Sequence, residues 1–274
     1  MCFVLIVGCA GAGGSASGPD AASDEEGSRA HVLILHSYNA ASGWCNRVTA
    51  GIRRVLGGVW TGAEVSIEFM DTRRASSEEY FRELEALYRT KYAGWKVDVL
   101  ICSDDQALSF ALGPGQELFP GAPVVFCSAT DFDPSMRVGR QLTGVLEELG
   151  IRETLEVALR LHPQTREVVV VTDTTRTGRS IRTLAQEDFR PYADRLSFRY
   201  LADLSVEELE KEVSELSEGA VVLLCLFSRD SFGREFSCES GVRRLAERCR
   251  VPIYGLWESY LGHGIVGPTI PCPR

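Results

Sequence analysis

Short apolar segments alternate with small polar clusters along the chain, and this alternation is the most regular feature of the sequence. Six apolar segments run directly into a polar cluster. They cover His31–Leu35, Val97–Cys102, Pro123–Cys127, Val168–Val171, Val221–Phe227 and Ile253–Leu256. Continuous apolar runs of this length are typical of strands buried on both faces of a parallel sheet. In such sheets ligands bind outside the carboxyl ends of the strands, so the polar clusters are the expected location of the chemistry.

Segments with helical spacing separate the predicted strands. Val48, Ile52 and Val55 recur at the spacing of one helix face. The pairs Ser76/Glu79 and Ser205/Glu208 match the capping box that opens a helix. Shorter strands are predicted at 64–70, 142–146 and 197–201. The alternation of strands and helices predicts an α/β fold with two Rossmann-like parallel-sheet lobes.

Four segments are predicted from this order of elements. Residues 1–30 form an export signal and a flexible tether, 31–145 the N-terminal lobe, and 146–250 the C-terminal lobe. Residues 251–274 are predicted to return to the N-terminal lobe. A length of 274 residues suits two lobes of ordinary domain size.

The N-terminus carries a candidate lipidation site. Ile6–Cys9 is similar to the cleavage box before the lipid-modified cysteine of bacterial lipoproteins, with Cys9 as the acceptor. The stretch from Ala10 to Ala30 is rich in Gly, Ser and Ala, as expected of a tether. A basic region before the apolar stretch is missing, and the alternative is a short apolar tail with an incidental cysteine. The export hypothesis predicts a periplasmic, lipid-anchored protein.

Composition and motifs exclude several function classes. The net charge of −9 argues against a nucleic-acid partner, which usually leaves a basic patch. The chain has no C-x-x-C pair, no G-x-S-x-G elbow and no phosphate loop that ends in Gly-Lys-Ser/Thr. We therefore predict no cofactor, no metal and no catalytic residue.

Several separated motifs, in the same order, resemble a known family. They are Val32–Tyr38, Glu68–Arg74, Ser103–Asp105, Leu118–Phe126, Tyr254–Trp257 and Tyr260–Gly267. Over 31–267 the chain resembles the type I periplasmic-binding-protein-like, ABC-transporter substrate-binding-like domains. These domains occur most often as extracytoplasmic sensor regions of bacterial histidine kinases and diguanylate cyclases. The resemblance implies two lobes joined by crossing strands, at 142–146 and 254–257, that close on a small ligand. Family members continue past the position of Gly267 to a third crossing, so we expect a C-terminally incomplete fold.

The resemblance also implies which strand-end residues line the ligand site. The implied residues are Ser37, Tyr38, Asp104, Asp105, Ser128 and Thr130 in the first lobe, Asp173, Thr174, Ser228 and Asp230 in the second, and Trp257 and Glu258 at the second crossing. Hydroxyls and carboxylates suit hydrogen bonding to a small polar molecule, and an aromatic ring supplies a wall.

Other roles stay open for some of these positions. Ser103, Asp104 and Asp173 could instead cap the following helices. Asp104 and Asp105 could form a metal or acid–base pair, although no third ligand is evident. Arg73 and Arg74 are predicted to be solvated or capping residues.

These observations favour a non-enzymatic, extracytoplasmic binding module that closes its lobes by hinge motion. The leading hypothesis is a sensor input module with a signalling output domain as its partner. The alternative is a substrate-binding lipoprotein that delivers ligand to an ABC permease, and a further alternative is an enzyme with a small polar substrate. An amino acid, a small carboxylate or a nucleobase-like compound would each fit as the ligand.

Overall fold

The structure is a computed structural model that describes residues 30–59, 62–130, 132, 133, 135 and 139–267. The chain divides into two compact units between Leu146 and Glu147, called here unit 1 and unit 2. The predicted lipidation site Cys9, the predicted tether up to residue 29, and residues 268–274 lie outside the described residues. Within the described residues, no helix combines the length and the apolar character needed to cross a membrane.

Unit 1 is built on a parallel sheet of five strands in the order β2-β1-β3-β4-β5. Its strands are β1 (His31–His36), β2 (Glu64–Phe69), β3 (Val99–Ser103), β4 (Val124–Ala129) and β5 (Leu142–Leu146). Its helices are α1 (Gly43–Val59), α2 (Glu78–Lys91), α3 (Asp104–Leu112) and α4 (Gly115–Leu118).

Unit 2 is built on a parallel sheet of four strands in the order β7-β6-β8-β9. Its strands are β6 (Glu167–Val171), β7 (Ser197–Leu201), β8 (Ala220–Leu224) and β9 (Ile253–Gly255). Its helices are α5 (Ile151–Leu161), α6 (Arg176–Phe189), α7 (Val206–Ser214) and α8 (Cys238–Arg248), and two short 3-10 helices cover Arg190–Tyr192 and Glu258–Tyr260. The predicted α/β class with two parallel-sheet lobes is confirmed.

The central strands of both sheets are buried on both faces, which explains their continuous apolar runs, whereas β5 is mostly exposed. In β6, Val168 and Val170 pack into one hydrophobic cluster, whereas Val169 and Val171 pack into another. The first sheet is divided in the same way, with Leu33 on one face and Ile34 on the other. Each such side chain stabilises the fold by about 1.5–3 kcal/mol when it is fully buried.

Helix caps follow the sequence at one predicted position and differ by one residue at the other. Ser205 and Glu208 form the predicted capping box at α7. At α2 the N-cap is Ser77 rather than Ser76, and its hydroxyl accepts from Tyr80 N at 3.2 Å. The shift follows from the start of the helix at Glu78, because a capping side chain reaches the backbone N–H three residues ahead.

Arg140 fastens the connections around β4. Its guanidinium donates to the carbonyl oxygens of Ala111, Phe119 and Ala122 at 2.7, 2.7 and 2.8 Å. The planar fork of arginine can serve three acceptors at once, which an ammonium group cannot do with the same geometry. One side chain therefore holds the end of α3 and the loop before β4 together.

Residues 251–267 belong to unit 2. Strand β9 pairs with β8, and Val266 N donates to Ile253 O at 2.8 Å. Ile253 and Tyr254 are buried in the two clusters of the second sheet. Up to Gly267 this segment contributes to the core of unit 2, and the predicted return of 251–274 to the first lobe stays a prediction.

Candidate functional site

Backbone strain is concentrated where the strands of the first sheet end, a region called here the unit 1 edge. Asp71, Asp104 and Ser128 have φ angles of 49°, 71° and 60°. No other non-glycine residue in the described part of the chain has a positive φ. Asp71 follows β2, Asp104 follows β3, and Ser128 lies at the end of β4. A left-handed conformation costs a residue with a side chain about 1–2 kcal/mol, and such residues cluster at functional sites.

The unit 1 edge includes the point where the strand order reverses. β1 connects through α1 to β2 on one side, and β3 connects through α3 to β4 on the other. Opposite crossovers leave a crevice between the carboxyl ends of β1 and β3, where open α/β sheets bind ligands. Ser37 and Tyr38 follow β1 at this point, and Asp104 follows β3.

Asp104 is the central side chain of the unit 1 edge. It is 7% exposed, and its Oδ2 accepts from Ser103 Oγ at 2.6 Å and from Trp44 Nε1 at 3.2 Å. Within the described residues no group donates a hydrogen bond to Oδ1. The N–H of Trp44 and the hydroxyl of Ser103 therefore fix one carboxyl oxygen, and the other oxygen keeps its full capacity to accept.

Burial raises the pKa of Asp104 to about 7. The neighbouring charge of Asp105 adds to this rise, while the hydrogen bonds from Ser103 and Trp44 and the positive charge of Arg73 oppose it. A carboxyl group with a pKa near neutrality exchanges its proton under physiological conditions. Strong perturbation of this kind is found preferentially at functional sites.

Tyr38 and Arg73 form a second feature of the unit 1 edge. The guanidinium of Arg73 lies over the Tyr38 ring, 4.1 Å from its centroid. This contact corrects the sequence prediction that Arg73 is a solvated or capping residue. This cation–π contact keeps the positive charge of Arg73 beside the Tyr38 ring.

The remaining predicted residues of unit 1 differ in how far the fold already uses them. Ser37 is fully buried, and its Oγ donates to Ser103 O at 2.8 Å and accepts from Ala107 N at 2.9 Å. Asp105 accepts from Thr130 N at 2.8 Å and from Thr130 Oγ1 at 2.7 Å. Ser37 and the Asp105–Thr130 pair therefore hold the edge together rather than present free groups.

In unit 2, the equivalent reversal point lies between β6 and β8 and is closed by an internal clasp. Asp173 Oδ2 accepts from Ser228 N at 2.9 Å and from Ser228 Oγ at 2.8 Å. Asp173 Oδ1 accepts from Thr175 N at 3.1 Å and from Thr175 Oγ1 at 2.5 Å. A side chain at Gly178 would clash with Asp173 Oδ1, so glycine is required there. The hydrogen-bonding groups of Asp173 and Ser228 thus satisfy each other within the protein.

Asp230 organises the loop that follows β8. Its oxygens accept from Arg234 Nε at 2.7 Å, Arg234 N at 2.9 Å, Phe232 N at 3.1 Å and Val206 N at 3.4 Å. Burial pushes its pKa upward, but the hydrogen bonds and charge of Arg234 outweigh burial and hold the pKa below its usual value. This carboxylate is saturated by the protein.

The three other residues predicted in unit 2 do not gather around one open group. Trp257 Nε1 donates to Cys225 O at 2.6 Å, and its ring packs against both clusters of the unit. Glu258 is exposed at the start of a 3-10 helix, and Thr174 is half-buried after β6. The indole N–H of Trp257 therefore has a structural partner.

The sequence interpretation missed Trp44 and Arg73. Trp44 opens α1 just after the polar cluster of β1, and Arg73 lies in the polar segment that follows β2. For Arg73, its position in the polar segment after β2 is the signal that could have identified it. Among the described residues, no group of three or more His, Cys, Asp and Glu side chains could hold a metal ion.

A shallow depression of about 220 Å³ lies elsewhere in unit 1, beside the edge strand β2. Its lining includes Glu68, which accepts from Tyr92 Oη at 2.6 Å and contacts Lys91 Nζ at 2.5 Å. These groups satisfy one another beside the edge strand β2, whereas the strand order reverses between β1 and β3. The unit 1 edge is therefore the better candidate.

Comparison with known proteins identifies the fold. No family model matches the chain, and a search of the curated proteins found no match. A conserved domain protein from Vibrio cholerae is similar with a TM-score of 0.60 and 14% identity, over 87% of this chain and 78% of that one. An ABC domain from Streptococcus pneumonia in complex with L-Trp is similar with a TM-score of 0.59, the same identity and the same coverage.

A third similar structure is a solute-binding protein of an ABC transporter from Rhodopseudomonas palustris, in complex with 3,4-dihydroxybenzoic acid. Its TM-score is 0.56 at 10% identity, over 83% of this chain and 61% of that one. The chain has the fold of the periplasmic solute-binding proteins. In this fold, the unit 1 edge and the reversal point of unit 2 lie at the carboxyl ends of the strands of the two parallel sheets.

Proposed function

We propose that the chain is an extracytoplasmic binding module for a small polar molecule, and that the unit 1 edge is its main recognition surface. The observation that carries the proposal is Asp104. This buried carboxyl group keeps one oxygen available at the reversal point of the first sheet. The positive φ angles of Asp71, Asp104 and Ser128 support the same location, since the fold tolerates their strain only there.

Ser37 and Thr130 hold the backbone of the unit 1 edge, and Tyr38, Asp104 and Ser128 supply the groups for the ligand. In unit 2, Thr174 and Glu258 are the predicted residues whose side chains the fold leaves most open. Closure of the two lobes by hinge motion, as the family resemblance implies, would add contacts from unit 2. The ligand classes that fit are an amino acid, a small carboxylate and a nucleobase-like compound.

Two biological roles use the same binding event. In a sensor input module, closure would be relayed to a signalling output domain, which is the role that the sequence resemblance favours. In an ABC importer, the closed form would dock on a permease, and the ABC proteins among the similar structures favour this alternative. The DNA downstream of the codon for Arg274 distinguishes them: a kinase or cyclase region supports the sensor, and a permease gene supports import.

A thermal melt of the full chain against a panel of amino acids, carboxylates and nucleobases tests the proposal. A compound present at 100 times its dissociation constant stabilises the folded state by about 2.7 kcal/mol. At about 2–4 °C per kcal/mol, the melting temperature should rise by about 5–10 °C. A cooperative melt that no compound shifts would contradict the proposal.

The variant Asp104→Asn links such a shift to the unit 1 edge. We expect it to reduce the thermal shift, whereas Asp194→Asn, at an exposed position in unit 2, should leave the shift unchanged. An enzyme with the same fold would instead be indicated if Asp104→Asn abolished turnover of a compound and left its binding intact.

A further inference from the structure

The described residues bury four carboxyl groups, and one of them differs from the other three. Asp105, Asp173 and Asp230 each accept hydrogen bonds on both oxygens. Asp104 accepts on Oδ2 alone. Both donors to Asp104 are neutral, and no ion pair joins it to a described residue. Asp104 is thus the buried carboxyl group whose bonding is incomplete.

An incomplete buried carboxylate is costly, because burial of a charge destabilises a fold unless the charge is paired and hydrogen-bonded. Arg73, whose charge lowers the pKa of Asp104, lies over the Tyr38 ring. Its positive charge acts on Asp104 through space rather than through a contact. The partner that Oδ1 lacks would therefore have to come from outside the described residues, and a bound ligand can supply it.

The negative charge of Asp104 and Asp105 also favours a positively charged ligand over a negatively charged one. Asp104 and Asp105 are the first residues of α3, so the positive N-terminus of this helix already has its anions. A second anion would meet Oδ1 directly. A cation with N–H donors would complete the carboxylate instead.

We propose that Oδ1 of Asp104 accepts a hydrogen bond from a cationic nitrogen of the ligand, a primary ammonium or an amidinium group, so that binding requires the ionised carboxylate. This inference rests on the proposed function and specifies the ligand class for the same site. The N–H of Trp44 holds Oδ2, and the ring of Trp44 already carries the guanidinium of Arg47, 5.8 Å from the ring centroid.

The proposal makes binding dependent on pH. Because Oδ2 accepts from two donors, an added proton occupies Oδ1, the oxygen that faces the ligand. The pKa of Asp104 is about 7 without ligand. The affinity for an ammonium or amidinium ligand should therefore fall about tenfold per pH unit below about pH 6 and level off above about pH 8.

The groups around Asp104 do not reverse this dependence. On α1, burial raises the pKa of the Cys45 thiol to about 11, so the thiol stays neutral throughout this range. After β2, Arg73 keeps its positive charge. On α3, Asp105 is held by the N–H and the hydroxyl of Thr130.

Matched triples of small compounds test the proposal on the full chain. Benzamidine, benzamide and benzoate share the phenyl ring and a planar head group, and they differ in the charge and the N–H donors of that group. Butylamine, butyramide and butyrate share a four-carbon chain and differ in the charge and the donors of their head groups. We expect only benzamidine or butylamine to bind in equilibrium titrations at about pH 8. In Asp104→Asn, which retains the shape of the side chain and suits a positive φ, the affinity should fall about 10- to 100-fold.

The outcomes separate this inference from the proposed function. Binding of benzoate, butyrate or the neutral amides in preference to the cations would overturn the inference and leave small-molecule binding in place. Cation affinity that is constant between about pH 5.5 and 8.5, or equal in Asp104→Asn, would also overturn it. Failure of every compound here, together with failure of the wider metabolite panel, would overturn both. Asp194→Asn serves as the control with an unchanged affinity.

Discussion

Removal of the Asp104 charge should change how the stability of the chain depends on pH. The pKa of Asp104 is about 7 in the folded chain against an ordinary value of 3.8. The protonated form thus contributes stability that is fully present below about pH 4 and is lost as the pH rises through 7. At about 1.36 kcal/mol per pH unit, the displacement from 3.8 to about 7 corresponds to at most about 4 kcal/mol.

A second buried group has the opposite dependence and must be separated from Asp104. Burial lowers the pKa of His36 from 6.5 to about 4. Its neutral ring stacks on Phe69, and its Nε2 lies 2.8 Å from Thr49 Oγ1. His36 therefore contributes stability that is present above about pH 6.5 and is lost as the pH falls towards 4. The two effects partly cancel in the wild-type chain.

The difference between wild type and Asp104→Asn isolates the carboxyl group, because His36 is present in both. Urea denaturation of the two proteins between about pH 4 and 8 gives the free energy of unfolding at each pH. We expect Asp104→Asn to gain stability relative to wild type as the pH rises from about 4 to 7, by up to about 4 kcal/mol in total, and the difference to level off above about pH 7. A difference that stays constant over this range would refute the assigned environment of Asp104.

Three further predictions test the contacts around the two sheets. Arg140→Ala should destabilise unit 1 by about 2–4 kcal/mol, since three carbonyls lose their donor, and Arg140→Lys should restore only part of this in urea denaturation. Asp173→Asn should destabilise unit 2 by about 1–3 kcal/mol and leave ligand affinity unchanged in titrations; weaker binding at full stability would contradict the clasp. Gly178→Ala should lower the melting temperature because its Cβ meets Asp173, whereas Gly57→Ala, with open space around it, should not.

The architecture could be predicted from the sequence because the central strands β1, β3, β4, β6 and β8 are buried on both faces. Val168–Val171 forms a continuous apolar run, which is typical of a strand buried on both faces. The polar residues after this run mark the end of the strand. The same logic located Asp104 and Asp173 at the edges of their sheets. The position of each carboxyl group directly after a predicted strand was therefore enough to assign it to the carboxyl end of one sheet.

The sequence could not show which of these carboxyl groups is fully hydrogen-bonded by the protein and which keeps one oxygen available. Asp104 and Asp173 both follow a buried strand, but only Asp173 meets a serine N–H and hydroxyl from the neighbouring strand end. That meeting depends on the register of β6 and β8, which the local sequence does not encode. Trp44 was missed for the same reason, because its bond to Asp104 joins residues that are 60 positions apart.

The most direct test of the account is to map where a bound compound acts on the protein. Backbone amide chemical shifts of the isotope-labelled full chain would be compared with and without a saturating amount of a compound that raises the melting temperature. We predict that the largest changes fall on Tyr38, Asp104 and Ser128 and that, at a concentration that just saturates the wild type, they are much smaller in Asp104→Asn. Changes confined to other surfaces, such as the depression beside β2, or changes that are equally large in Asp104→Asn at that concentration, would contradict a binding site at the unit 1 edge.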